Sequence, residues 1–186
     1  MPTPEMKAAG VNSLIATLRS SAPPERFEAF VQALPAATAS LIVRPRMAHE
    51  WLALADVAPL HPIALTVLFE GRLAAMYDLG HLQVQKDLNG MYRLFLRVAS
   101  PAFIADRTQA LYDTYTRDCG TLRVEKRTST SLDLVMDDRP HSSPAFYEAL
   151  RGSIAGALEL TGVKDLKVSS LDEGKASRCV FHAVWH

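Results

Sequence analysis

The spacing of apolar residues changes once along this chain, near Gly120, and that change limits what it can fold into. Before it, apolar side chains recur every three to four places, as in Val11, Leu14, Ile15 and Leu18, or Phe27, Phe30, Val31 and Leu34. After it they recur every second place: Leu122 and Val124, then Leu132, Leu134 and Met136, then Cys179, Phe181, Ala183 and Trp185. The first spacing lays one face of a helix on a core, and the second lays one face of a strand on it. The first two-thirds therefore reads as helices, and the last third as strands around one helix.

Proline and glycine divide the helical part. A helix over 11–21 stops at Ser21-Ala22-Pro23-Pro24, and Pro24 opens the next, which Pro35 ends. A third is expected from Pro45 to near Pro59, with Met47, Trp51, Leu52 and Leu54 turned inward. A longer one follows from His61 to Gly80, where the glycine would form a left-handed cap. Val84, Leu88, Met91, Tyr92, Phe95 and Val98 make a further helical stripe, and Ser100-Pro101 caps a helix running to about Arg117. Two strands over 121–138 then form a hairpin. A helix runs from Ser143-Pro144 to Gly162, and two more strands cover 164–171 and 177–185. The expected fold is α+β: N-terminal helices, then a four-stranded antiparallel sheet in strand-strand-helix-strand-strand order, covered by helices. We divide it into an N-terminal helical region, 1–62, and an α+β ligand-binding-like domain, 63–186.

Charge and cysteine content narrow the function classes. Lys plus Arg and Asp plus Glu number 20 each, so no basic surface points to nucleic acid. No apolar run is long enough for a membrane span and the N-terminus does not read as a leader, so a cytoplasmic location is expected. The two cysteines, Cys119 and Cys179, show no zinc-finger spacing with the six histidines. No phosphate loop, nucleophile elbow or paired catalytic carboxylate stands out, and we expect neither enzyme activity nor a metal or cofactor.

Four stretches carry a resemblance: "DLNGMYRLFLRVASPAF" at 87–103, "LYDTYTRDCGTLRVE" at 111–125, "LRGSIAGALELTGVKDLKV" at 150–168, and G-x4-C-x-F-x3-W from Gly174 to Trp185. Over roughly 64–186 the chain resembles an uncharacterised bacterial family common in myxobacteria. That family is similar to the 4-vinyl-reductase domain, within a fold group that includes heme–nitric-oxide-binding domains and TRAPP trafficking subunits. The resemblance implies an antiparallel sheet with flanking helices, used as a small-molecule pocket or a dimerising platform. Relatives carry a second cysteine ahead of the final glycine where this chain has Ser169, Ser170 and Leu171. The heme-binding branch uses a Tyr-x-Ser-x-Arg motif that this chain lacks. Neither a sulfur-rich metal site nor heme is carried over.

Two functions follow. The first is a non-catalytic regulatory or assembly domain that forms a homodimer or meets a protein partner, because the apolar helices of 11–80 exceed what one sheet face needs. The alternative is a sensor for an apolar or lipid-like small molecule, held between sheet and helices. Its pocket candidates are Phe95, Tyr112, Tyr115, Cys179, Phe181 and Trp185. Cys179 reads most simply as plain core, since a free cysteine behaves as a small apolar residue. Cys119, at the helix-to-strand turn, is the candidate reactive thiol, and its alternative is an ordinary turn residue.

Overall fold

The computed structural model describes residues 3–88, 100–172 and 178–186. Among them the chain runs β1 (Glu5–Lys7), α1 (Ala8–Ser20), α2 (Pro24–Ala33), α3 (Ala36–Val43), β2 (Trp51–Ala53), α4 (Leu54–Val57), α5 (Leu60–Val67) and α6 (Ala74–Asp87). It continues through α7 (Pro101–Ala105), α8 (Thr108–Tyr115), β3 (Thr116–Arg117), β4 (Thr121–Arg127), β5 (Ser131–Asp137), α9 (Pro144–Glu159), β6 (Lys167–Asp172) and β7 (Arg178–Val184).

The larger sheet has the order β4-β5-β7-β6, antiparallel throughout, with α9 between its two hairpins in sequence. The alternation that predicts it also sets its register. Met136 lies opposite Cys179, Leu134 opposite Phe181 and Leu132 opposite Ala183, and all six are buried. Gly120 adopts φ 78°, and a Cβ there would lie 2.1 Å from the Asp137 carbonyl oxygen. Only glycine lets the chain turn into β4 so close to β5. Ser143 caps α9 by accepting from Phe146 N at 3.2 Å, and Ser100 caps α7 by accepting from Phe103 N at 3.2 Å. Both are the Ser-Pro starts legible in the sequence.

The N-terminal half departs from the expected helices in two places. Residues 51–53 form a strand, not the middle of a helix from Pro45. Trp51, Leu52 and Ala53 pair with Lys7, Met6 and Glu5, and β3 adds on the other side of β1, giving a second sheet of order β2-β1-β3. Trp51 lies beneath the Lys7 ammonium, 5.2 Å away, and the Arg117 guanidinium, 3.8 Å away. Two cations on one indole favour the extended pairing that brings all three together, and Met47 is left 66% exposed instead of buried. The second departure is the helix expected from His61 to Gly80. It breaks at Glu70 (φ 55°) and Gly71 (φ 75°) into α5 and α6.

Gly80 therefore does not cap a helix; it lies inside α6, against α9. A Cβ on Gly80 would sit 1.8 Å from the Ala149 carbonyl oxygen, and one on Gly152 would sit 2.0 Å from that of Tyr77. The two helices touch backbone to backbone, which small residues permit and larger ones forbid. The helix expected over 81–100 begins as the end of α6, and its remainder lies outside the described residues. The expected helix to Arg117 is split between α7 and α8, and Thr116–Arg117 belongs to β3.

Two buried clusters result. One joins α1–α6 around Val11, Leu18, Phe30, Leu60 and Met76, and borrows Ala145 and Ala149 from α9. The other lies between the larger sheet and α9, around Leu132, Met136, Leu158 and Phe181. The apolar helices that suggested a dimer thus bury one another. Burying each large apolar side chain contributes about 1.5–3 kcal/mol.

Candidate functional site

Between the larger sheet, α9 and the α7–α8 pair lies a cavity of about 170 Å³. Its sheet wall is Leu122, Leu132 and Leu134, and its α9 wall is Leu150, Ser153, Ile154, Ala157 and Leu158. Ile104, Thr108, Leu111 and Tyr112 close the third side. Leu111 is 53% exposed, which puts the mouth of the cavity on α8.

Three hydroxyls reach the lining, and each donates to a main-chain carbonyl. Thr108 Oγ1 donates to Ile104 O at 3.1 Å, Ser153 Oγ to Ala149 O at 3.1 Å with Gly80 O at 3.2 Å, and Tyr112 Oη to Cys119 O at 2.8 Å. Tyr112 also accepts from Arg139 Nη1 at 2.7 Å. Burial pushes the Tyr112 phenol up, and the Arg139 charge partly opposes that shift.

Behind Tyr112 lies a buried polar group that sequence reasoning missed. Arg139 is 6% exposed; its guanidinium lies 4.1 Å from the centre of the Phe146 ring, and its Nε has no hydrogen-bond partner among the described residues. His61 of α5 meets the edge of the same ring at 5.6 Å. Desolvation, reinforced by Arg139, lowers the His61 pKa to about 4, so the imidazole is neutral at pH 7. An arginine in a "DDRPHSS" loop gives no sequence signal of burial, because its neighbours come from α5, α8 and α9.

Of the expected pocket residues, Tyr112 lines the cavity. Tyr115, also on α8, is 45% exposed. Cys179, Phe181 and Trp185 are buried in the cluster between the larger sheet and α9, and none of them lines the cavity. Phe95 lies outside the described residues. Cys119 is buried, with its sulfur 3.1 Å from Arg117 O and 3.2 Å from Glu5 O. Burial raises its thiol pKa against the opposing pull of Arg139. Among the described residues no cluster of His, Cys, Asp and Glu is placed to hold a metal, and no helix is long and apolar enough to cross a membrane.

No protein-family profile and no curated protein matches the sequence. Solved structures do. An alanine-to-glycine mutant of the Fe(II) unliganded H-NOX protein from K. algicida is 13% identical, covers 97% of both chains and superposes with a TM-score of 0.67. A phenylalanine-to-leucine variant of the Tt H-NOX is 13% identical, covers 97% of this chain and 95% of that one, and gives 0.68. An oxygen-binding H-NOX domain related to soluble guanylate cyclases, in its oxygen complex, is 12% identical over 97% and 95%, with 0.63. These findings correct the assignment to the 4-vinyl-reductase and TRAPP-like group, which rested on local stretches of the second half, whereas the H-NOX match spans both halves.

Heme is the group this fold implies, and the described residues do not fit it. Iron in heme is held by imidazole, thiolate, thioether or phenolate. Among the described residues no histidine, cysteine or methionine lines the cavity, and the Tyr112 oxygen is committed to Cys119 and Arg139. A porphyrin, with its four joined pyrrole rings, needs several times the room of a cavity this size, which matches one benzene ring. Helices, the antiparallel sheet and the order in which they follow are shared across nearly the whole length, and the fold of this chain is that of the H-NOX domains.

Proposed function

We propose that this chain is a non-catalytic sensor domain that binds an apolar small molecule in the cavity between its larger sheet, α8 and α9. The observation that carries the reading is the lining itself: aliphatic side chains from the sheet, α9 and the α7–α8 pair around an open space, with every described hydroxyl hydrogen-bonded away from it. A structural core of this size would ordinarily be filled. The shared fold supports the reading, since one of the similar structures holds oxygen. The cavity is also tied to the rest of the molecule. Tyr112 bonds Cys119, whose thiol approaches Glu5 of β1, and Arg139 stacks on Phe146 beside His61 of α5. A ligand that shifts Tyr112 therefore moves contacts in the N-terminal half.

Native mass spectrometry of the chain, and of Ala157→Leu with a smaller cavity, after exposure to a library of apolar compounds tests this. One-to-one complexes should form with the unaltered chain and weaken at least tenfold in the variant. Equal retention by both, or none by either, would contradict it.

A further inference from the structure

A cavity of about 170 Å³ is close to the roughly 150 Å³ at which a dry, aliphatic-lined cavity accepts benzene or xenon. Its chemistry is as restrictive as its size. The protons of Thr108, Ser153 and Tyr112 all go to main-chain carbonyls, so among the described residues the walls have no side-chain donor left to offer. A carboxylate or carbonyl entering here would lose its water and find nothing to replace it, which costs several kcal/mol for a polar group and more for a charge. Arg139 does not line the cavity; its Nη1 lies beyond the Tyr112 hydroxyl and its guanidinium faces Phe146. This cation is therefore screened from a ligand by the phenol it bonds.

We infer that the cavity selects a neutral, hydrocarbon-like molecule of about one ring, in place of the heme that the fold implies, an anion or a long acyl chain. This rests on the ligand-binding reading just given and narrows it. Leu111, half-exposed on α8, gives such a molecule a way in without opening the sheet. Longer chains would have to displace Leu132 and Leu134, which are 1% and 4% exposed and packed into β5.

The test is thermal unfolding and calorimetry of the full chain with four probes: toluene, benzoate, palmitate and hemin. Toluene near ten times its dissociation constant should raise Tm by about 3–6 °C with one-to-one stoichiometry. Ala157→Phe should abolish the shift, and the milder Ala157→Leu should reduce it should the larger side chain compromise folding. Benzoate and palmitate should leave Tm unchanged, and hemin should give no protein-bound absorption band. Benzoate binding abolished by Arg139→Met, palmitate binding abolished by Ala157→Leu, or a hemin spectrum lost in Tyr112→Phe would each overturn this inference while leaving a ligand-binding cavity in place. Failure of all four probes would overturn both.

Discussion

The Tyr112 phenolic oxygen lies 2.7 Å from Arg139 Nη1 and is the one hydrogen-bond partner that buried guanidinium has among the described residues. Removing it leaves a buried cation with nothing to bond. Tyr112→Phe should cost about 1.5–3 kcal/mol in urea unfolding. Arg139→Met alone also loses stability. The double variant should be less destabilised than the two single effects added together, since with both partners gone no buried cation is left without its acceptor. Strict additivity would show that the pair is not coupled.

Backbone contact between α6 and α9 predicts a sharp contrast among three glycines. Gly80→Ala and Gly152→Ala place a methyl within 1.8 Å and 2.0 Å of a facing carbonyl oxygen and force the helices apart. Each should cost at least about 3 kcal/mol. Gly156→Ala meets its nearest atom, the His81 carbonyl oxygen, at 3.2 Å and gains helix propensity worth about 1 kcal/mol, so its net effect should stay within about 1 kcal/mol of zero. Equal effects at all three positions would refute the crossing.

His61 makes stability depend on pH in a defined window. Its pKa is about 4 in the folded chain and 6.5 when unfolded, so the unfolded state binds the proton first as pH falls. The full contribution holds above about pH 6.5, is lost progressively down to pH 4, and levels off below. The loss is up to about 3 kcal/mol. Subtracting the urea-stability profile of His61→Leu from that of the parent should isolate this descent. A difference that does not vary across the window would contradict it.

Both thiols should resist labelling. Cys119 and Cys179 are each 1% exposed, and burial pushes the Cys119 thiol up, away from the reactive thiolate. A water-soluble disulfide reagent should modify the native chain orders of magnitude more slowly than the urea-unfolded chain. Immediate reaction of either thiol in the native state would place it outside the packed interior.

The sheet was legible because its code is local. Each of the pairs Leu132–Ala183, Leu134–Phe181 and Met136–Cys179 joins positions that alternate within their own strands, and Gly120 marks where alternation begins. The Ser-Pro caps at Ser100 and Ser143 are equally local. What escaped depends on partners far along the chain. Residues 51–53 become a strand because β1, more than forty residues earlier, offers an edge. Gly80 looks like a helix stop until Ala149 is seen against it. Cys179, Phe181 and Trp185 share one face of β7, and the alternation alone places them with Tyr112 around a pocket; they pack into the same buried cluster as Leu122 and Leu134 but do not line the open space. Arg139 could not be foreseen at all: its burial comes from Phe146, Tyr112 and the chain around His61 meeting in space.

Diffraction from crystals held under xenon pressure would reveal whether the cavity is empty and apolar. One strong xenon peak enclosed by Leu134, Tyr112, Ile154 and Ala157 is expected. Side chains filling that space, with no xenon bound there, would contradict it.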